Sequence, residues 1–349
     1  MSENICIRGT NWVGDSIITI PALRELRRIF PESRLTLLVR PWVTGIFEGT
    51  GLVDDLLTYD SQSESFWTCV QKIKARKFDR AILFQNAFEA AALMFCARVP
   101  VRVGFPTDAR RLLLTSAVPL EPATLRKHQI YYYLDLVSRY EEYLTGQTQV
   151  NFNAPAYQLR IPTEKREAIR STLIERGLNP DRQWIAINPG ATNSEAKRWP
   201  TDYFASLVDQ LIERGDLEVC LIGAANETEI SQAVVEYSRH KSAIRVLTGT
   251  TTLAESIAFL TWCSLVISND TGPAYVTAAL DRPLLTIFGP TNPNMISPFS
   301  PHAHLIRNLV HCAPCMLRKC PIDHRCMQNI TPQEVFRRAI QVLEASQYI

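Results

Sequence analysis

The sequence predicts an α/β protein with two domains, each organised around a parallel sheet of the Rossmann-like type. Short apolar runs typical of buried strands alternate with longer segments of helical spacing in both halves of the chain. Most of these runs end in turns rich in Gly, Asn or Asp. With 349 residues, the chain is also longer than one typical domain. Alternation of this kind is typical of parallel sheets covered by helices, so we expect two similar halves.

The first half is predicted to contain a series of strands separated by helices. The strands cover residues 5–8, 35–39, 56–59, 81–84 and 101–105, and the helices cover residues 17–29, 70–77, 89–97 and 129–144. Pro21 falls inside the first helical pattern, so that helix either kinks there or begins just before it. The polar stretch 145–155 is the best candidate for a linker, which predicts an N-terminal domain at residues 1–155.

The second half repeats the alternation. Its strands are predicted at residues 184–188, 218–222, 243–247, 265–267 and 284–288, and its helices at residues 203–214, 227–240, 253–263, 274–280 and 331–345. In the last helix Thr331 is the expected cap, Pro332 the first residue and Glu334 the capping-box partner. We expect a C-terminal domain at residues 156–330, which includes a Cys-rich segment at residues 311–326, followed by a C-terminal helix at residues 331–349.

Composition and charge argue against several classes of protein. Hydrophobic residues make up 46% of the chain and charged residues 21%, which is typical of a globular protein with a large core. The net charge of +2 is too small to indicate binding to nucleic acid. The first residues lack the pattern of a signal peptide, and no uncharged apolar run reaches the ~18 residues of a membrane span. We therefore expect a cytoplasmic protein whose nine cysteines are mostly reduced.

A polar turn, Asp270-Thr271-Gly272, follows the predicted strand at residues 265–267. Pro273 can open the helix that comes next. In a parallel sheet such a turn lies at the carboxyl end of its strand, where open α/β sheets bind ligands. Backbone N–H groups and the Thr271 hydroxyl would then meet at a helix N-terminus, which suits a phosphate. The alternative is an ordinary strand-to-helix connection, because turns of this composition are common.

The pair Gly14-Asp15 ends the loop after the first strand. Asp15 would be a carboxylate beside a ligand site, able to accept a proton from a substrate hydroxyl. The alternative is that Asp15 is a helix N-cap, a position that Asp favours. This stretch alone favours the cap.

A second group of candidate donors follows the first strand of the second half. Thr192, Lys197 and Arg198 offer a hydroxyl, an ammonium and a guanidinium that could bind a diphosphate, although the stretch is neither a P-loop nor a GxGxxG motif. The alternative is a solvated basic loop. After the next strand, Glu227 could accept hydrogen bonds from ribose hydroxyls or could interact with the dipole of its helix.

Two clusters of residues leave more than one interpretation open. Four cysteines lie within fifteen positions of a Pro-rich stretch: Cys312, Cys315, Cys320 and Cys326. Thiolates this close suit a closed structural site for zinc or iron, and the alternative is four free or redox-active thiols. Four arginines flank the last strand of the first half: Arg98, Arg102, Arg110 and Arg111. They could face an anionic acceptor or a membrane surface, or lie in a solvated loop.

Several motifs taken together resemble one family, glycosyltransferase family 9. They are Thr10-Asn11-Trp12-Val13-Gly14-Asp15 with Pro21-Ala22-Leu23, Asn188-Pro189-Gly190 with Lys197-Arg198-Trp199-Pro200, Asn269-Asp270-Thr271-Gly272, and Gly289-Pro290-Thr291. The Trp-Val-Gly-Asp form and the segment Asn86-Ala87-Phe88 are similar to the heptosyltransferase II branch of that family. The resemblance runs from the first strand to the last helix.

The resemblance implies a GT-B fold, in which two Rossmann-like domains face each other across a cleft. The N-terminal domain would bind the acceptor and the C-terminal domain the nucleotide sugar. The implied reaction is an inverting transfer of L-glycero-D-manno-heptose from ADP-heptose to an inner-core heptose of lipopolysaccharide, without a catalytic metal. Peripheral contact with the cytoplasmic face of the inner membrane would follow. Another heptose position or a surface polysaccharide would use the same donor site, so the acceptor stays open.

The roles known in the family carry over to matching residues. Asp15 matches the general base, and the donor contacts match Thr192, Lys197, Glu227, Asp270, Thr271 and Gly272, with Arg198 beside them. On the acceptor side we expect Asn11, Trp12, Asn86 and Arg110. Asp270 cannot face a phosphate as a bare acceptor, so we expect its side chain to cap the turn or orient Thr271.

One position departs from the family. Three residues beyond Gly272 the family usually has His, and this chain has Tyr275. A phenol can donate a hydrogen bond to a phosphate, but it is not cationic near neutral pH. Lys197 and Arg198 would then supply more of the positive charge.

Two other functions compete with this hypothesis. A nicotinamide-dependent oxidoreductase would show GxGxxG after its first strand, and Gly9 and Gly14 are wrongly spaced for that motif. A non-catalytic nucleotide-binding module would tolerate the loss of Asp15 and Lys197.

Overall fold

The computed structural model describes residues 2–346, and the chain divides into two compact units between Tyr157 and Gln158. Each unit is built on its own six-stranded sheet. Separate hydrophobic clusters fill the two units, one around Cys69 in the first and one around Trp199 in the second. Across residues 2–346, no helix combines the length and the apolar character needed to cross a bilayer.

The sheet of the first unit is parallel throughout. Its strands are β1 (Asn4–Arg8), β2 (Arg34–Val39), β3 (Asp55–Thr58), β4 (Arg80–Leu83), β5 (Val101–Gly104) and β6 (Ser116–Ala117). They pair in the order β3-β2-β1-β4-β5-β6. Ile5, Cys6 and Ile7 of the central strand β1 are fully buried, as expected for a strand that helices cover on both faces.

Five α-helices lie in the described residues of the first unit. They are α1 (Val13–Ile18), α2 (Ile20–Ile29), α3 (Phe66–Ala75), α4 (Phe88–Cys96) and α5 (Gln129–Thr145). Of the two alternatives predicted around Pro21, the start just before it is confirmed, because α2 begins at Ile20. The residues before it form a separate helix, α1, whose C-cap is Thr19. Pro21 is the second residue of α2, where a helix tolerates a residue without an N–H group.

The sheet of the second unit is also parallel. Its strands are β7 (Gln183–Asn188), β8 (Leu217–Leu221), β9 (Ile244–Val246), β10 (Leu265–Asn269), β11 (Leu284–Phe288) and β12 (Ala303–Arg307). They pair in the order β12-β11-β10-β7-β8-β9. The central strands β7 and β10 are buried along almost their whole length.

The helices of the second unit include the predicted C-terminal helix. They are α6 (Thr163–Glu175), α7 (Thr201–Glu213), α8 (Thr228–Tyr237), α9 (Leu253–Leu260), α10 (Gly272–Ala279), α11 (Pro293–Ile296), α12 (Arg325–Gln328) and α13 (Pro332–Ser346). The Glu334 N–H donates to the Thr331 hydroxyl at 3.2 Å, which confirms Thr331 as the cap of α13. The helix packs on its own unit, where Val335 and Ala339 are fully buried.

The two sheets share one strand order. Counted from the start of each unit, both sheets have the order 3-2-1-4-5-6 of a doubly wound, nucleotide-binding fold. The winding reverses between β1 and β4 in the first unit and between β7 and β10 in the second. At such a switch point the loops diverge and leave a crevice in which ligands bind. Ligand-binding residues are therefore expected directly after these four strands.

Among the elements that the sequence missed, which include the short helices α11 and α12, three share one cause, which is a thin apolar pattern. In α6 the buried residues are Ile169 and Leu173, too few to form a clear stripe. Strand β6 has two residues, and β12 is mostly half-exposed, with Ile306 as its buried position. None of the three lies at a switch point.

Candidate active site

The loop after β1 rests on a fully buried arginine. The Arg8 guanidinium donates to the Gly9 carbonyl at 2.8 Å, to the Leu38 carbonyl at 3.1 Å and to Asn11 Oδ1 at 3.0 Å. Burial, followed by the charge of Arg40, lowers the pKa of Arg8 to about 10. A cation therefore holds the loop that leads into α1, and it engages the side-chain oxygen of Asn11.

Asp15 lies in the first turn of α1 and is half-buried. The N-cap position of that helix is Trp12, so the interpretation of Asp15 as the cap is wrong. A carboxylate in a first turn is stabilised by the positive end of the helix dipole. Burial and then the Asp15 charge raise the pKa of Tyr133 well above its ordinary value, so Asp15 lies near this residue of α5. Asp15 is thus a partly accessible carboxylate at the switch point of the first unit.

Two exposed tryptophans flank the same loop. Trp12 and Trp42 are 44% and 43% exposed, and their ring centroids are 6.5 Å apart. The Trp42 Nε1–H donates to the Asn11 carbonyl at 2.8 Å, which fixes the second ring against the loop. Arg40 lies 5.9 Å from the centre of the Trp42 ring. The two indole rings therefore form an apolar surface at the loop that leads to Asp15. Such a surface suits the apolar face of a sugar ring.

Asn86 and Arg110 follow the neighbouring strands β4 and β5, and the structure brings them together. The Arg110 guanidinium donates to Asn86 Oδ1 at 3.0 Å, to the Phe105 carbonyl at 2.8 Å and to the Gln85 carbonyl. The Asn86 amide donates to the Tyr132 hydroxyl at 2.7 Å. Arg110 is fully buried, and burial lowers its pKa to about 10. The interpretation of Arg110 as part of a solvated loop is therefore wrong, whereas Arg98 and Arg111 are exposed.

In the second unit, two buried asparagines join the loops at the switch point. Asn269 donates to the Pro189 carbonyl at 2.9 Å and to the Gly190 carbonyl at 3.1 Å. The Thr271 hydroxyl donates to Asn188 Oδ1 at 2.9 Å. Thr271 is the N-cap position of α10, and Gly272 is the first residue of that helix. The N-terminus of α10 is therefore held at the crevice beside the loop after β7.

Asp270 is a buried carboxylate on which three side chains converge. Lys197 Nζ lies 2.8 Å from Oδ2 and 3.1 Å from the Asp270 carbonyl, and the Thr291 hydroxyl donates to Oδ2 at 2.7 Å. The Tyr275 hydroxyl lies 2.8 Å from Oδ1 and also contacts the Ile296 carbonyl. The expectation that Asp270 would cap the turn or orient Thr271 is therefore wrong. Asp270 instead positions Lys197, Thr291 and Tyr275 relative to one another.

Glu227 lies at the N-cap position of α8, and both of its carboxylate oxygens have partners. Oε1 accepts from the Thr192 hydroxyl at 3.0 Å, and Oε2 accepts from the Ala224 N–H at 3.0 Å. A Cβ atom at Gly190 would lie 2.3 Å from this carboxylate, so only glycine allows the loop to approach it. The predicted donor residues Thr192 and Glu227 thus contact each other.

Arg198 supports the loop between Thr192 and Lys197. Its Nε and Nη2 donate to the Ala191 carbonyl at 3.3 and 3.2 Å. Lys197 is 24% exposed, and an ammonium has three N–H donors. Because two of them are directed at Asp270, Lys197 retains one donor for a ligand.

The four cysteines of the Cys-rich segment differ in exposure: Cys312 is exposed, Cys315 and Cys320 are half-buried, and Cys326 is buried. Burial and then the nearby Cys312, Cys320 and Cys315 raise the pKa of Cys326 to about 11. Within residues 2–346, no group of three or more His, Cys, Asp or Glu side chains is arranged to hold a metal ion. The prediction of a structural zinc or iron site is therefore not confirmed. Among the other five cysteines, Cys96 is half-buried and the rest are buried.

The fold and these clusters define a two-domain α/β protein with a nucleotide-type switch point in each unit. The chain belongs to glycosyltransferase family 9 (heptosyltransferase), whose family model matches residues 66–325. It is therefore a heptosyl-transferring glycosyltransferase, as the sequence motifs indicated.

Named relatives match almost the whole chain. A protein of Salmonella typhimurium named lipopolysaccharide heptosyltransferase 2 is 26% identical, over 97% of this chain and 98% of its own. A lipooligosaccharide heptosyltransferase 2 of Haemophilus ducreyi is 27% identical, over 97% and 99%. The solved structure of E. coli ADP-heptose lps heptosyltransferase II superposes with a TM-score of 0.84 at 23% identity, over 99% of both chains. This likeness confirms the predicted GT-B fold of two Rossmann-like units.

Sequence reasoning missed three residues of these clusters. Arg8 had a signal, because a charge at the end of an otherwise apolar strand requires buried partners. Trp42 follows β2 closely, at the edge of the sheet where ligands bind, but an isolated tryptophan does not show which neighbour it meets. Thr291 belongs to a quoted motif, and only the structure shows that its hydroxyl reaches Asp270.

Proposed function

We propose that the protein transfers L-glycero-D-manno-heptose from ADP-heptose to an inner-core heptose of lipopolysaccharide, with inversion at the anomeric carbon. Family membership establishes heptosyl transfer. The names of the relatives in Salmonella typhimurium and E. coli support lipopolysaccharide as the acceptor and ADP-heptose as the donor. The observation that carries the proposal is the cluster of Lys197 and Thr291 on Asp270, beside the N-terminus of α10. An ammonium, hydroxyls and helix N–H groups at a switch point suit a nucleoside diphosphate.

On the donor side, Lys197 would direct its third N–H at the diphosphate, together with the backbone at Thr271 and Gly272. Thr192 and Glu227 would take the ribose, because their contact places a hydroxyl beside a carboxylate at the neighbouring loop. Tyr275 stands where the family usually has His, and its hydroxyl contacts Asp270. We infer that Tyr275 acts through Asp270, while Lys197 supplies the charge that stabilises the leaving ADP. Arg198 would act by shaping the loop.

On the acceptor side, Asp15 would act as general base. The acceptor hydroxyl oxygen forms a bond to the anomeric carbon while the bond from that carbon to the ADP oxygen breaks, and Asp15 takes the hydroxyl proton. Trp12 and Trp42 would stack on the acceptor sugar, since both rings are exposed and Trp42 is hydrogen-bonded to this loop. The acceptor site would also be shaped by Asn11, Asn86 and Arg110, because their polar groups already form hydrogen bonds within the protein. No step in this mechanism uses a metal ion.

Two expectations about partners belong to this proposal. The acceptor carries a lipid, so we propose that the protein meets it by peripheral contact with the cytoplasmic face of the inner membrane. A zinc or iron ion at Cys312, Cys315, Cys320 and Cys326 stays a prediction that rests on the spacing of these residues in the sequence. Metal analysis of the purified protein tests it.

The Asp15→Asn substitution tests the general base. We expect transfer from ADP-heptose to fall at least about 100-fold, because a positioned base contributes roughly that much, while ADP still raises the melting temperature. The assay uses lipopolysaccharide truncated at successive inner-core sugars, which also identifies the acceptor. Asp108→Asn is the control, since Asp108 is an exposed acid of the same unit in a backbone conformation that Asn tolerates. Near wild-type transfer by folded Asp15→Asn would refute the assignment.

A further inference from the structure

The Cys-rich segment, residues 311–326, is hydrogen-bonded to the loop that carries Lys197. His324 Nε2 lies 2.7 Å from the Ala196 carbonyl, to which the protonated nitrogen donates. The Ala196 N–H donates to the Arg318 carbonyl at 3.0 Å, and the Ser194 hydroxyl reaches the same carbonyl at 3.3 Å. Both polar backbone groups of Ala196 are therefore held by the Cys-rich segment.

The same segment also holds the loop that carries Thr291. The Met316 N–H donates to the Pro290 carbonyl at 2.9 Å. At Gly289, a Cβ atom would lie 2.4 Å from the sulfur of Met327 and 3.3 Å from the sulfur of Cys326. This loop is thus packed directly against the end of the Cys-rich segment, at a distance that only glycine permits.

The two contacts converge on one carboxylate. Ala196 directly precedes Lys197, and Pro290 directly precedes Thr291. Lys197 Nζ and the Thr291 hydroxyl both meet Asp270 Oδ2, at 2.8 and 2.7 Å. The segment therefore fixes the backbone one residue before each of two side chains that share an acceptor. A shift of the segment would move both side chains relative to Asp270.

His324 is well placed to transmit such a shift. Its backbone is in the left-handed region, with φ of 57°, which is uncommon for a residue with a side chain. The N–H groups of Met327 and Gln328 donate to its carbonyl at 3.0 and 3.1 Å, which ties it to the start of α12. The ring thus joins two loops through a single hydrogen bond at Nε2.

We propose that the Cys-rich segment positions Lys197 for the donor diphosphate, and that His324 is the positioning residue through which it acts. The inference rests on the proposed function, because it assigns a task to the loop that would hold ADP. His324 does not touch the donor. Its hydrogen bond sets where the Lys197 ammonium stands, so its loss affects donor binding rather than acceptor binding.

Two amide substitutions test whether the hydrogen bond itself matters, because both keep a polar side chain at position 324 and only one keeps the bond. In His324→Gln the amide nitrogen reaches the place of Nε2 and can donate to Ala196, whereas in His324→Asn it falls one atom short. Asn tolerates the left-handed backbone well, so the variant that loses the bond is the one whose backbone is less strained. His311→Asn is the matched control, because His311 is an exposed histidine of the same segment.

ADP binding by calorimetry and the two Michaelis constants of transfer test the proposal. We expect His324→Asn to weaken ADP binding and raise the donor KM by about fivefold, as for one lost hydrogen bond, with the acceptor KM unchanged. His324→Gln should recover most of this loss, and His311→Asn should match the wild type. The proposal is overturned if His324→Asn binds ADP as well as His311→Asn does, or if both Michaelis constants rise together. Failure of the wild type to bind ADP would instead refute the proposed function, and the inference with it.

Discussion

Asp270 and Lys197 form an ion pair of unequal exposure. The carboxylate is completely buried, whereas the lysine side chain is 24% exposed. A buried carboxylate is costly unless opposite charge and hydrogen bonds compensate for its lost hydration. Lys197 supplies the charge, and Thr291 and Tyr275 supply hydroxyl contacts. The residue that would bind the donor therefore also stabilises the fold.

Lys197→Met leaves the buried Asp270 carboxylate without its cation. We expect the free energy of unfolding to fall by about 3 kcal/mol, the cost typical of breaking a buried pair. Adding Asp270→Asn should restore part of that loss, because the variant then has no buried charge. Urea denaturation measures both changes.

Lys241→Met is the control for this substitution. Lys241 pairs with Glu236 at 2.9 Å, but the two side chains are 52% and 74% exposed. Exposed pairs contribute about 0–1 kcal/mol, so little change is expected. Equal losses in Lys197→Met and Lys241→Met would contradict the argument from burial.

At the scale of elements, α2 and α5 are joined by a bidentate ion pair. Arg28 donates to the two carboxylate oxygens of Glu141 at 2.7 and 2.9 Å. The same carboxylate accepts from the Thr148 hydroxyl at 3.0 Å and from the Gln149 N–H at 2.9 Å. The hydrogen bond from Arg28 is the largest cause that holds the pKa of Glu141 below its ordinary value. The stability that this pair contributes to the packing of α2 on α5 therefore depends on pH.

Acid should weaken this link. Because the pKa of Glu141 is lower in the folded chain, its contribution to stability is complete above the unfolded pKa of about 4.3 and is lost as pH falls through the folded pKa. We expect Glu141→Gln to lower the free energy of unfolding by about 2 kcal/mol at pH 7 and by progressively less in acid below pH of about 4. Denaturant titrations at several pH values measure it. Glu142→Gln, one residue along on the exposed side, should show no such dependence.

Elements with a strong apolar pattern could be predicted from the sequence, and their spatial order could not. The buried strands β1, β7 and β10 were found because each contains an unbroken run of three or four apolar residues. The start of α2 just before Pro21 was one of two alternatives, but the separate helix α1 was not predicted, because apolar spacing continues from α1 into α2. For Arg110 the sequence left open an anionic acceptor, a membrane surface or a solvated loop, because it does not show that three carbonyl or amide oxygens surround the guanidinium. Hydrogen bonds between side chains and groups of different loops could not be predicted, because only the fold brings those loops together.

At the scale of the whole molecule, the duplicated strand order explains how one chain serves two substrates. Each unit has its own parallel sheet and its own switch point. The first unit carries Asp15 and the pair of Trp12 and Trp42. The second unit carries the Asp270 cluster, which consists of Asp270, Lys197, Thr291 and Tyr275. The proposed acceptor residues and the proposed donor residues therefore belong to different compact units.

The second unit should therefore bind ADP when it is expressed alone. It contains a complete six-stranded sheet, a separate core and every residue of the Asp270 cluster, and units of this size commonly fold on their own. We expect residues 158–349 to melt cooperatively and to bind ADP with an affinity within about threefold of the whole chain, and to show no heptosyl transfer because Asp15 is missing. Circular dichroism and calorimetry measure the first two properties, with Lys197→Met in the isolated unit as the variant that should lose binding. If the isolated unit folds but does not bind ADP while the whole chain does, the donor site requires residues of the first unit. The assignment of donor binding to the second unit alone would then be wrong.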